Sequence, residues 1–255
     1  MTPFRNTLLV AAFTIRQLLW RRRIIMLLAL AMIPGFFGIL ARSFARPSAS
    51  NGFVNVLPEL FVAFLVPIVS LLTSGNVVRD GIDDRTIVYP LSTPIGRKPY
   101  AIGCAFGAFV VSAFTLLVAA ASAWIGWRAG IARGGSDDTA LMTNLAGVSI
   151  FGLVVYVPFH ALLGSLFKFP TVIGIVVYGV VDLLLATLPG IVRRTAPSAY
   201  LEALLDPAFT TRNAATEAAD VFVAITPGEA RFVVPVLGML FLGMFAMQMS
   251  RRDLV

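Results

Sequence analysis

The feature that most constrains this chain is the length of its uninterrupted apolar runs. Phe53 to Ser74 covers 22 residues with Glu59 as the sole charge, and Tyr100 to Trp127 covers 28 with none. A helix of about 20 apolar residues spans the hydrocarbon core of a bilayer. A water-soluble domain needs far more charge on its surface. Here 58% of the 255 residues are apolar and 13% are charged, against about 25% charged in an ordinary soluble domain. That balance excludes a soluble globular protein and a disordered chain. A single cysteine, Cys104, excludes a disulfide scaffold.

Six stretches have the length and polarity of a membrane span. They are Ile24 to Leu40, Phe53 to Ser74, Tyr100 to Trp127, Leu141 to Phe167, Thr171 to Val192 and Arg231 to Met249. The runs are continuous and do not alternate every second residue, so they predict helices and not barrel strands. Pro34, Pro58, Pro67, Pro158, Pro189 and Pro235 lie within them. Each predicts a kink whose freed backbone groups are satisfied by neighbouring helices. The expected fold is therefore all-α: one polytopic domain over residues 1–255 with six transmembrane helices.

Six spans place both termini on one side. With the N-terminus inside, the inner face carries Arg5, Arg16, Arg21, Arg22, Arg23, Arg79, Arg85, Arg97, Lys98, Lys168, Arg251 and Arg252, which is 12 cations. The outer face carries Arg42, Arg46, Arg128, Arg133, Arg193, Arg194, Arg212 and Arg231, which is 8. Cytoplasmic loops hold the excess of Lys and Arg, so both termini are expected in the cytoplasm of a cell inner-membrane protein. The net charge of +7 is then an orientation label, and no nucleic-acid partner is expected.

Three segments outside the spans have a character of their own. Residues 3–23 place Phe4, Leu8, Ala11, Ile15 and Leu18 at three- and four-residue spacing, with Arg5, Thr7, Thr14, Arg16, Gln17 and Arg21 off that stripe. This predicts an amphipathic helix in the inner headgroup plane. Residues 193–230 form a long extracytoplasmic segment. Pro197 is expected to interrupt helix there, with a short helical turn from Tyr200 to Leu205 and a second helix over 213–223, capped by Asn213. The third segment, 76–99, holds seven of the 33 charged residues: Arg79, Asp80, Asp83, Asp84, Arg85, Arg97 and Lys98. Asp83 or Asp84 suits the N-terminus of a short helix. Thr93, before Pro94, ends it. Ile87, Val88 and Leu91 give it an apolar side.

The order Asp83, Asp84, Arg85, Thr86, then Leu91, Ser92, Pro94, Ile95 and Arg97 resembles the cytoplasmic coupling-helix region of the type-2 ABC transporter permeases. A weaker likeness continues through Gly164, Phe167, Pro170, Gly174, Asp182, Pro189, Gly190, Tyr200 and Leu201, and through the closing Arg251, Arg252 and Asp253. Pro90 and Gly81 depart from the family pattern. The resemblance implies a permease subunit of an exporter, on which a separate ABC ATPase docks at Asp80, Asp83, Asp84, Arg85, Thr86, Leu91, Pro94 and Arg97. It further implies a second permease subunit, a homodimer or a related chain, and ATP and Mg held by the partner ATPase. The residues agree on one point: the only lysines, Lys98 and Lys168, complete no Gly-rich phosphate loop. No cofactor is expected in this chain.

Glu59, His160 and Asp182 are ionisable groups within spans. Such groups are costly in a bilayer and face protein or water. They suit interhelical hydrogen bonds or the lining of a pathway. An acid/base or metal role is the third reading, and no His-Glu-x-x-His pattern is present. Two rival functions follow. One is a membrane-embedded enzyme built on these three residues. The other is a non-transporting subunit that passes motion to an extracytoplasmic partner. Gly103, Gly107 and Ala108 make a small-residue face fit for close helix packing.

Overall fold

A computed structural model describes residues 3–20, 23–44, 56–83, 96–128, 136–185, 191–205 and 225–251. No strand occurs among the described residues, which are almost wholly helical. We number the helices α1 (Pro3–Trp20), α2 (Arg23–Phe44), α3 (Val56–Gly81, its last stretch running Asn76–Asp83), α4 (Arg97–Arg128), α5 (Ser136–Leu166), α6 (Pro170–Tyr178), α7 (Pro197–Glu202) and α8 (Pro227–Arg251). Four of these, α3, α4, α5 and α8, hold windows long and apolar enough to cross a membrane. A fifth follows if α1 and α2, which meet at a 77° bend, are counted as one broken span.

The fifth expected span is described over residues 170–185 and again from Ile191. α6 has nine residues and continues as a seven-residue π-helix, Gly179–Leu185. Among the described residues, Pro170–Asp182 is an apolar helix shorter than the four long spans. Pro170 sets its start at the first helical turn, and Asp182 interrupts an apolar run that resumes at Leu183. A 3₁₀ turn (Ile191–Thr195) and α7 then fold over that end of the bundle.

α5 is the centre. It packs on α3, α4, α6 and α8, and 67% of its apolar window is buried, against 22% for α8. Glycines set the closest approaches. The Gly164 Cα faces the Gly75 carbonyl so closely that a β-carbon has no room. On the other side of the molecule, a β-carbon on Gly103 would sit 2.7 Å from the Thr7 carbonyl oxygen, and one on Gly107 2.7 Å from Thr14 Cβ. The small-residue face of α4 is thus the seat of α1. The side of α1 that faces α4 shares only Ala11 and Leu18 with the apolar stripe read from the sequence. Asn6, Val10, Ala11, Thr14 and Leu18 are buried, while Phe4 and Leu8 are exposed. Small and polar side chains fit the glycine seat, and Thr14 Oγ1 donates to Cys104 Sγ at 3.8 Å.

Cross-contacts define two ends of the bundle. At one, Arg97 Nη1 donates to the Ser250 carbonyl at 2.9 Å, Thr171 Oγ1 donates to Asn76 Oδ1 at 3.2 Å, and Gly164 meets Gly75. The start of α4, the ends of α3, α5 and α8, and the start of α6 therefore gather there. At the far end, Asn144 Nδ2 donates to the Leu204 carbonyl at 3.5 Å, and Leu201 of α7 packs on Gly152.

Candidate functional site

The buried polar groups of the bundle fall into two clusters, and Pro67 explains much of the first. It carries no N–H for the Ala63 carbonyl one turn back, and the Tyr178 hydroxyl of α6 donates to that carbonyl instead. α3 is wound as π-helix on both sides of this point, over Glu59–Leu65 and Leu71–Gly75. Wider turns loosen the ordinary ladder, and hydroxyls take the carbonyls. Ser70 Oγ donates to Pro67 O at 2.8 Å, Thr73 Oγ1 to Val69 O at 2.8 Å and Ser74 Oγ to Ser70 O at 2.6 Å.

The same hydroxyls tie α3 to its neighbours. Ser70 Oγ is 2.9 Å from His160 Nδ1 on α5, and Thr73 Oγ1 is 2.6 Å from Ser112 Oγ on α4. Since Ser70 gives its proton to Pro67, the network closes when Nδ1–H of His160 donates to Ser70. All of these side chains are buried, His160 included. A serine beside a histidine has the form of a nucleophile and its base, but this hydroxyl is committed to a backbone carbonyl.

The second cluster lies toward the far end. Asp182, in the π-helical extension of α6, is 6% exposed. Its Oδ1 accepts the Ser198 backbone N–H of α7 at 3.2 Å. The Tyr156 hydroxyl from α5 faces the same carboxyl but makes no hydrogen bond of normal geometry, and neither does Ser198 Oγ. Just outside, Arg193 Nη2 pairs with Glu202 Oε2 at 2.9 Å.

Tyr156 also joins the two clusters. Its ring stacks on His160 one helical turn away, with centroids 6.0 Å apart. Two of the three intramembrane groups singled out in the sequence, His160 and Asp182, thus stand on one interior face with Tyr156 between them. Glu59 is exposed, and the groups facing Asp182 are Tyr156, Tyr178 and Ser198 in its place. Tyr156 carried a signal that went unread: it precedes His160 by four residues, the spacing of one helix face. Among the described residues no three His, Cys, Asp or Glu side chains converge as a metal site.

The expected docking loop is described only at its edges. Asp83 lies in the last described turn of the helix Asn76–Asp83, where Arg79 one turn earlier pairs with it through Nε to Oδ2 at 3.0 Å and Nη2 to Oδ1 at 2.5 Å. Asp80 lies on the same last stretch of α3. Arg97 opens α4. Asp84, Arg85, Thr86, Leu91 and Pro94 lie outside the described residues, as does the helix expected over 213–223. The helix does break before Pro197, between the 3₁₀ turn and α7, and Pro197 starts α7 in its first turn, where its missing N–H costs nothing. The sequence matches no known protein family, and no curated protein matches it.

Proposed function

We propose that this chain is the membrane-spanning subunit of an ATP-driven transporter of the type-2 ABC permease kind, an exporter subunit that works as a dimer with separate ATPase subunits. In this reading α2, α3, α4, α5, α6 with its extension, and α8 are the six crossings. The helix α1 lies at the inner surface of a cell membrane, and both termini are cytoplasmic. The segment 76–99, with Asp80, Asp83 and Arg97 in its described parts, receives the ATPase.

The observation that carries this reading is the Arg97–Ser250 hydrogen bond. It ties the start of α4 to the end of α8 beside the point where α3 ends. A partner pressing on the loop between α3 and α4 therefore pushes on helix ends that are already linked. Gly164 against Gly75 passes the same displacement to α5, and Thr171 on Asn76 passes it to α6. Packed helices of this sort shift as units, which is the mechanical need of a subunit that alternates between two states.

The test is co-purification with an ABC ATPase and measurement of its turnover in reconstituted vesicles. Replacing Asp84, Thr86 and Arg97 together by Ala is expected to uncouple ATP hydrolysis from the membrane subunit. Because Arg97 also holds Ser250, the Asp84→Ala/Thr86→Ala double variant separates docking from the internal tether, and it is expected to lose coupling with an unchanged melting temperature. Normal coupling in that double variant removes the loop from the mechanism.

A further inference from the structure

The helix α1 is held against α4 on one side only. At 100° per residue, Arg5, Ala12 and Arg16 fall within one narrow strip along the middle of its exposed face. Large apolar side chains flank that strip on both sides: Phe4 and Leu8 on one, Phe13 and Trp20 on the other, all exposed, Trp20 to 81%. Beside Arg16 the surface dips into a shallow hollow of about 510 Å³ lined by Ala12, Ile15, Arg16, Leu19 and Trp20. The Arg16 guanidinium carbon lies 5.4 Å from the centre of the Trp20 ring, a distance at which ring and cation attract.

We propose that this hollow binds the phosphate of an anionic phospholipid, with Arg16 as the cation and Leu19 and Trp20 against the upper acyl chain. The proposal rests on the reading that the chain lies in a membrane, and it is independent of ATP-driven transport. Charge complementarity points to the occupant. The chain has no acidic residue before Glu59, while the first 46 residues hold seven arginines. No carboxylate of this segment can neutralise Arg16. A guanidinium presents a planar fork that matches phosphate oxygens. A soluble phosphate would satisfy that fork and leave the flanking apolar side chains in water. A phospholipid satisfies both at once, since its phosphate sits where its chains begin.

A basic side chain near an anionic surface contributes attraction worth about fivefold in affinity. The experiment incorporates the purified protein into vesicles of equal phosphatidylglycerol and phosphatidylcholine, extracts it gently and weighs the retained lipids by native mass spectrometry. The wild type is expected to retain phosphatidylglycerol several-fold over its bulk share. Arg5→Gln/Arg16→Gln is expected to return that ratio to the bulk value with an unchanged melting temperature. Arg16→Lys, which keeps the charge and loses the fork, is expected to retain part of the preference.

A wild type without preference, or a double variant that keeps it, overturns the site. Displacement of the retained lipid by millimolar inorganic phosphate also overturns it, because the hollow then serves a soluble anion. Flotation with vesicles of phosphatidylcholine alone reports membrane residence separately. A protein that floats there and shows no lipid preference loses this site and keeps its membrane reading, whereas a protein that floats with neither vesicle loses both.

Discussion

The two buried polar clusters of the bundle are built from similar side chains and are closed to different degrees. Around Ser70, each hydroxyl has a partner, and His160, Thr73 and Ser112 tie three helices together. Around Asp182, one backbone N–H reaches the carboxyl, while the Tyr156 and Ser198 hydroxyls stay unbonded in buried positions. A satisfied buried network holds helices in place, whereas an unsatisfied one carries a desolvation cost with no return. The closed cluster sits between long helices. The open one sits where the short α6 and α7 meet α5. The difference assigns rigidity to the Ser70 region and places the spare hydrogen-bonding capacity near the far end of the bundle.

The contrast breaks most severely at Gly164. The Gly75 carbonyl occupies the space a side chain there would need, and the clash is with backbone that cannot swing aside. Gly164→Leu is expected to pry α5 from α3 and destabilise the protein by about 3 kcal/mol, read as a lower melting temperature in detergent and a reduced monodisperse yield. Asp182 comes next. Asp182→Leu strips the Ser198 N–H of its acceptor in a buried site and is expected to cost about 2 kcal/mol. Asp182→Asn keeps an oxygen for that N–H and is expected to cost less than half as much. Equal losses for the two would show that the carboxylate charge, and not the tie to α7, holds the far end. Ser70→Ala takes away the hydroxyl that His160 Nδ1 meets, while the Pro67 carbonyl keeps the Leu71 N–H, at a cost of about 1 kcal/mol.

The bundle's long helices were legible because the signal was composition over distance. Uninterrupted runs such as Tyr100 to Trp127 need no partner to declare themselves. Pro67 was legible as a break, and its freed carbonyl does find a neighbouring helix, through Tyr178. What α6 does was not legible. Its run reaches Val192 in hydropathy, but the π-helical turn from Gly179 and the burial of Asp182 under Ser198 depend on where α7 packs, a long-range contact. The orientation of α1 was hidden for a similar reason. Hydropathy grouped Phe4 and Leu8 with Ala11 and Leu18 on one apolar stripe, whereas Gly103 and Gly107 create a seat that fits Thr14 and Ala11 and leaves Phe4 and Leu8 outside it. At the candidate site, His160 and Asp182 were visible as charges in apolar runs. Tyr156 reads as an ordinary core aromatic until its two neighbours are placed on either side of it.

The smallest expected effect is the most discriminating. Tyr156→Phe removes one oxygen from a buried position where it has no hydrogen bond of normal geometry, and the ring that stacks on His160 stays. Taking a polar atom out of a dry site where nothing pairs with it is neutral or slightly stabilising, by up to about 1 kcal/mol. Ser70→Ala, the same loss of one hydroxyl, goes the other way because His160 Nδ1 loses the hydroxyl it meets. Melting temperatures of the two variants in one detergent should therefore move in opposite directions, or Tyr156→Phe should not move at all. If Tyr156→Phe instead falls as far as Ser70→Ala, the hydroxyl is bonded to Asp182 in the working protein, and both clusters are structural ties of the same kind.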